Sequence, residues 1–170
     1  DIREQTGLSL ATIAKYLNGG NVLPENKVKI ETAIKDLHYE VNEIARGLAT
    51  NKTRTIGVIV YSIESLFNGT LLRYIGDSLR KSGYGLLICD SCNDEIIEAQ
   101  NVRFLINKKV DGIIVVPVAR TSDFLEPAEK VGIPIVLLDR GLKDAEFDCV
   151  KINNRLAAFR AVNLLIANNH

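Results

Sequence analysis

The sequence predicts two kinds of structure in series: a small all-α head with a helix-turn-helix, then a doubly wound α/β domain on a parallel sheet. Three observations carry this expectation. Up to about residue 54, apolar residues recur only at helical spacing and no convincing strand pattern is present. After residue 55, β-branched runs at 56–61, 85–90, 112–116 and 133–138 alternate with helical stretches near 68–82, 94–108, 122–131 and 154–168. These runs are continuously apolar, as strands covered on both faces must be, and strand–helix alternation implies right-handed βαβ units.

In the head, Gly7 precedes Ser9, a good N-cap, and the stretch Ser9–Asn18 then follows a helical period. Ile13, Tyr16 and Leu17 fall on one face of that helix, which is expected to be buried. Leu10, Ala11, Ala14, Lys15 and Asn18 fall on the other. Pro24 suits the first position of a third helix, which places Ile30, Ala33, Ile34 and Leu37 on its apolar face. Two short helices joined by a tight glycine turn, with a third packed behind, fit a helix-turn-helix. Periodicity alone equally allows a small helical cap that binds nothing.

Composition bounds the function. With 46% hydrophobic and 25% charged residues the chain reads as globular rather than disordered. Its 21 basic and 21 acidic residues cancel, which argues against a protein coated in positive charge. No apolar run approaches the length of a membrane span, and no signal peptide is visible. Cys89, Cys92 and Cys149 form an odd set, read as reduced thiols in a cytosol. The chain begins at Asp1 rather than Met, so upstream residues are expected.

The residues also carry a family resemblance. Leu8–Asn18 (L-S-L-A-T-I-A-K-Y-L-N), Tyr39–Asn42 (Y-E-V-N), Ala45–Ala49 (A-R-G-L-A) with Thr53–Val58, Lys109–Ile114 and Ile133–Arg140 resemble, in order and spacing, motifs of the lactose-repressor (LacI/GalR) family. The resemblance implies a head (1–41) that reads an operator and a hinge helix and linker (42–54). It also implies a core resembling periplasmic sugar-binding proteins, of which 55–170 is the first subdomain and the second would follow His170. Its pattern departs at Arg3, Thr6, Ala14, Leu23, Val41, Leu66, Asn153 and Ala157.

The resemblance places Leu10, Ala11 and Lys15 at base edges, with Ser9, Thr12 and Asn18 on phosphates. Physical chemistry agrees: lysine can donate to guanine, and short aliphatics can touch a thymine methyl. Helix capping is the plainer role of Ser9. In the hinge, Asn42, Ala45 and Leu48 are implied to meet DNA, with Leu48 as a minor-groove wedge; an ordinary linker helix is the alternative. Doubly wound sheets bind ligands at the carboxyl ends of their strands. There Ser65, Phe67, Asn68, Asp90, Asp139 and Arg140 are the effector-site candidates, beside Tyr61, Ser62 and Ser91. Capping of nearby helices is the competing role for Asp90 and Asp139.

The Cys89–Cys92 C-x-x-C could be a redox pair or half a zinc site, but there is no second pair and Cys89 sits on a strand end, so neither is expected. The two distant histidines, His38 and His170, assemble no catalytic triad, and no glycine-rich phosphate loop is present. The expected function is a cytoplasmic, nucleoid-associated bacterial transcriptional regulator, a repressor rather than an enzyme, with no cofactor, metal or membrane partner. Its expected partners are pseudo-palindromic double-stranded operator DNA, a small-molecule effector such as a sugar, and a second copy of itself in a homodimer or dimer of dimers. The dimer contact is expected along 70–79 and 96–101. The alternative is a periplasmic-binding-like sugar-binding protein with no DNA role, which leaves the first 54 residues without a purpose.

Overall fold

The computed structural model describes residues 1–39, 46–47, 50 and 52–170. The chain divides into two compact units, Asp1–Thr53 and Arg54–His170.

The first unit contains α1 (Ile2–Thr6), α2 (Leu10–Leu17) and α3 (Pro24–Asp36). Asp1 caps α1 by accepting the Arg3 N–H at 2.7 Å, while Glu4 reaches back to the Asp1 amine at 3.1 Å. Gly7 then takes the left-handed φ of 69° that ends the helix. Proline at the start of α3 loses nothing, because its missing N–H has no helical partner there. The core of this unit is Ile2, Ile13, Ile30 and Ala33, with Leu8, Tyr16, Leu17 and Ile34 packed around it. Tyr16 donates to Glu31 at 2.7 Å and ties α2 to α3. Leu37, expected on the buried face, is 42% exposed because α3 ends one residue before it.

The second unit runs β1 (Thr55–Val60), α4 (Leu66–Lys81), β2 (Gly85–Asp90), α5 (Glu95–Asn107), β3 (Gly112–Val115), α6 (Glu126–Lys130), β4 (Ile135–Leu138), β5 (Asp148–Val150) and α7 (Asn154–Ala167). The strands form one sheet in the order β2-β1-β3-β4-β5. All pairings are parallel, with Ile59 opposite both Cys89 and Val115. Successive strands are added outward in one direction from β1 to β2 and in the other from β3 onward, so right-handed crossovers send α4 to one face and α5 and α6 to the other. Side-chain alternation follows. Val58, Val60 and Val116 pack with Leu71, Leu72 and Ile75 of α4. Ile59, Ile113, Val115 and Leu137 pack with Val102 and Leu105 of α5 and Ala128 of α6. Each fully buried aliphatic contributes about 1.5–3 kcal/mol.

One glycine is required by this packing. A Cβ at Gly57 would lie 2.5 Å from Leu105 Cδ1, so its absence lets α5 lie close against β1.

Three elements differ from the sequence expectation. The helix expected over 122–131 shrinks to Glu126–Lys130, because Phe124 and Leu125 form a buried turn ahead of it. The strand expected from Ile133 starts at Ile135; proline at 134 has no N–H to donate, although its carbonyl accepts from Ile113. β5 was not expected at all. No residue of α7 is buried.

Candidate functional site

In the first unit the exposed face of α2 is displayed by its caps. Ser9 Oγ accepts the Thr12 N–H at 3.1 Å, and the two hydroxyls lie 2.9 Å apart. Leu10 is 61% exposed, and Ala11, Lys15 and Asn18 are exposed on the same side. The Lys15 stem runs along Gly20, where an added Cβ would meet its Cγ at 2.8 Å. Among the described residues Lys15 makes no ion pair, so its ammonium is available to an incoming anion or base edge. Ala11, Thr12 and Lys15 share a groove of about 540 Å³ with Asn21, Leu23 and Asn26 at the start of α3. Asn42, Ala45 and Leu48 lie outside the described residues.

In the second unit the carboxyl ends of β1, β2 and β4 bring several expected residues to one edge of the sheet. Tyr61 and Ser65 hydroxyls are 3.1 Å apart, and Ser65 caps α4 by accepting the Asn68 N–H at 3.4 Å. Arg140 reaches over the end of β3, with its guanidinium 5.4 Å from the Tyr61 ring centre, a cation–π contact. Its Nε is also 3.9 Å from Asp139, which holds a left-handed φ of 64°. Strained backbone of this kind is costly for a residue other than glycine and collects at ligand sites. Phe67 is 45% exposed.

Other candidates are already engaged. Asp90 accepts from Cys92 N at 2.8 Å and from Ile63 N at 3.1 Å, so its carboxylate braces the loops after β1 and β2. Asn68 is fully buried; its amide donates to the Ser62 carbonyl at 2.8 Å, and its Oδ1 has no partner. Ser91 is buried and donates to the Val60 carbonyl at 3.1 Å. Burial pushes the Cys89 thiol above its ordinary range, and Cys92 is exposed.

Two carboxylates escaped the sequence reading, and both hold the loop leaving β3. Glu98 of α5 is fully buried; its Oε1 accepts Val118 N at 2.8 Å and its Oε2 accepts Ala119 N at 2.9 Å. Burial raises its proton affinity, against those two donors, with Glu95 raising it further and Arg140 lowering it. Asp144 accepts both the N–H and the hydroxyl of Ser122, at 2.9 and 3.0 Å. Those donors hold its carboxyl below the ordinary range, the Ser122 N–H most of all. A signal for Glu98 was present: it shares the stripe of Val102 and Leu105 at i, i+4 and i+7, an apolar face on which a charge stands out.

Comparison with known proteins gives a consistent result. The family described as periplasmic binding proteins and sugar binding domain of LacI family matches residues 53–170. The chain is 33% identical over 171 residues to catabolite control protein A of Priestia megaterium, covering 100% of this chain and 52% of that protein. It is 34% identical over 169 residues to the HTH-type transcriptional regulator RegA of Clostridium acetobutylicum, covering 98% and 51%. The chain thus spans about half the length of the curated relatives it matches. Among solved structures, the lac repressor dimer bound to operator and the anti-inducer ONPF superposes with a TM-score of 0.82 at 19% identity, over 100% of this chain and 52% of that one. At that identity the likeness is one of fold.

Proposed function

Because this chain belongs to the LacI family, we propose that it carries the operator-reading head and the first effector subdomain of a bacterial transcriptional repressor. The observation that carries this reading is the exposed face of α2. It combines an unpaired cation, two aliphatic contacts and short polar side chains on one short capped helix. In a helix-turn-helix such a helix enters the major groove. Lys15 donates to guanine, Leu10 and Ala11 touch thymine methyls, and Ser9, Thr12 and Asn18 bind phosphates that fix register. Asn42, Ala45 and Leu48 form the hinge contact, with Leu48 at a kinked base step.

The second unit senses a small molecule, a sugar or related metabolite, at the carboxyl edge of its sheet. Ser65, Phe67, Asp139 and Arg140 meet it. Asp90 and Asn68 belong to the same site, and their engaged or buried state supports a role in shaping it. The protein acts as a homodimer or dimer of dimers, so it reads pseudo-palindromic sites. The exposed Tyr74 and Ile96 support a contact along 70–79 and 96–101.

The test is selection of a duplex from a randomised pseudo-palindromic library, followed by titration of variants on the winner. Lys15→Ala should weaken binding there by about 1–3 kcal/mol and relax preference at one base pair, whereas Thr12→Ala should weaken all sequences about equally. Failure to enrich any duplex would instead favour a sugar-binding protein without a DNA role. A Lys15→Ala protein with unchanged preference would remove α2 from the groove.

A further inference from the structure

Glu98 is an expensive choice for a core position. It is fully buried, and among the described residues no salt bridge reaches it; Arg140 acts on it through its field. A buried ionised carboxylate costs stability unless its oxygens are well satisfied. Here the two oxygens diverge onto two consecutive backbone donors, Val118 N and Ala119 N, at 2.8 and 2.9 Å. Apart from a carboxylate, no common side chain of that length offers two acceptors in this arrangement: glutamine would turn a donor toward one of the N–H groups.

The loop it holds sits where the fold binds ligands. The order of strand addition reverses between β1 and β3, and the crevice at such a switch point opens between the loops leaving those two strands. Val118 and Ala119 belong to the β3 loop. Packing alone does not fix them: both are half-buried, and Ala119 borders an open cleft of about 310 Å³ shared with Ala99, Phe124 and Pro127. Further along, the loop is fastened separately, at Ser122 by Asp144 and at Arg120, whose carbonyl accepts from Lys143 N.

We infer that Glu98 is a positioning residue for the effector crevice: from within the core it fixes the β3 loop as one wall of the site. This rests on the ligand-sensing role proposed above. The charges that act on Glu98 are Glu95, one turn earlier on α5, and Arg140 at the end of β4, while Arg103 and Asp123 line the cleft beside Ala119. Arg140 also lies over Tyr61, so the wall and the cation spanning the crevice share one electrostatic environment.

The decisive variant is Glu98→Gln in the whole chain, studied by amide exchange and by chemical-shift titration. The probes are D-glucose and D-ribose with their phosphate esters. The expected result has three parts: at least tenfold faster exchange at Val118 or Ala119, unchanged exchange at Ser122 and in the strands, and an unchanged unfolding midpoint. Where a probe shifts the Ala119 amide of the native chain, its dissociation constant should rise at least tenfold in the variant. Native exchange at both amides would overturn the assignment. So would faster exchange throughout the sheet with a lowered midpoint, which marks a purely structural residue, or a loosened loop with unaltered probe affinity. If no probe binds the native chain, the sugar reading falls by itself, and the exchange pattern alone upholds or overturns the role of Glu98.

Discussion

Replacing Gly57 with alanine tests the contact that sets the distance between α5 and the sheet. The added methyl would stand 2.5 Å from Leu105 Cδ1, 2.7 Å from Cδ2 and 3.0 Å from Cγ. Leu105 cannot withdraw, because it is fully buried among Ile59, Val102 and Ile113. Either the helix lifts or the leucine leaves its preferred rotamer, at about 1–3 kcal/mol. Leu105→Ala alone opens a cavity and costs about 2–5 kcal/mol. In the double variant the new methyl enters space that the leucine has left. The combined loss should therefore fall short of the sum by at least about 1 kcal/mol, within the range seen for residues in contact. Urea unfolding followed by far-ultraviolet circular dichroism measures all three losses, which are smaller than the stability of an ordinary domain. Additivity within about 0.5 kcal/mol, or a neutral Gly57→Ala, would refute the packing argument.

Three further outcomes follow from named contacts. Ser9→Ala removes the cap of α2 and should cost the head about 1 kcal/mol, read as an earlier loss of helical signal on heating. Asp144 has a depressed folded proton affinity, so its stabilisation is present above its ordinary value of 3.8 and lost as pH falls through the lower folded value. Asp144→Asn should accordingly be less stable than the native chain at neutral pH and converge with it in acid; a difference independent of pH would contradict the Ser122 contact. Hydrogen bonding to Glu31, with smaller contributions from burial and the same negative charge, lifts Tyr16 above 10.0. The stabilisation of that neutral hydroxyl is present below the unfolded value and fades as pH rises through the folded one. Glu31→Gln should return the tyrosinate absorbance titration toward 10.0.

The main strands were readable because each is a continuous apolar run, which only a doubly covered sheet uses in full. β5 was not, since it has three residues and its ends, Asp148 and Val150, face outward. The stretch 122–131 looked helical throughout because Phe124, Leu125 and Ala128 keep a plausible period. A buried turn satisfies that spacing equally well. Of the effector candidates, Arg140 and Tyr61 come together as a pair that no spacing rule announces. Asp90 instead spends its carboxylate on two loop amides, while Ser65 and Asp94 cap the neighbouring helices, so it does not cap a helix as the competing role supposed. Glu98 is not among the sequence candidates, because its partners are backbone N–H groups 20 and 21 residues away that no local spacing announces.

The small core of the head has an experimental consequence. Among its described residues only Ile2, Ile13, Ile30 and Ala33 are buried, a meagre interior for a unit of this size. Such a unit opens readily, and whatever binds its closed form holds it shut by mass action: duplex at a hundred times its dissociation constant adds about 2.7 kcal/mol. On the operator-reading role proposed above, closure and DNA occupancy are two faces of one equilibrium. On that reading a change such as Ile30→Ala, buried and touching no phosphate, will present in a gel shift as a weakened operator contact. A mutational scan that tests the proposed DNA contacts of this head must therefore divide each variant's affinity by its closed fraction.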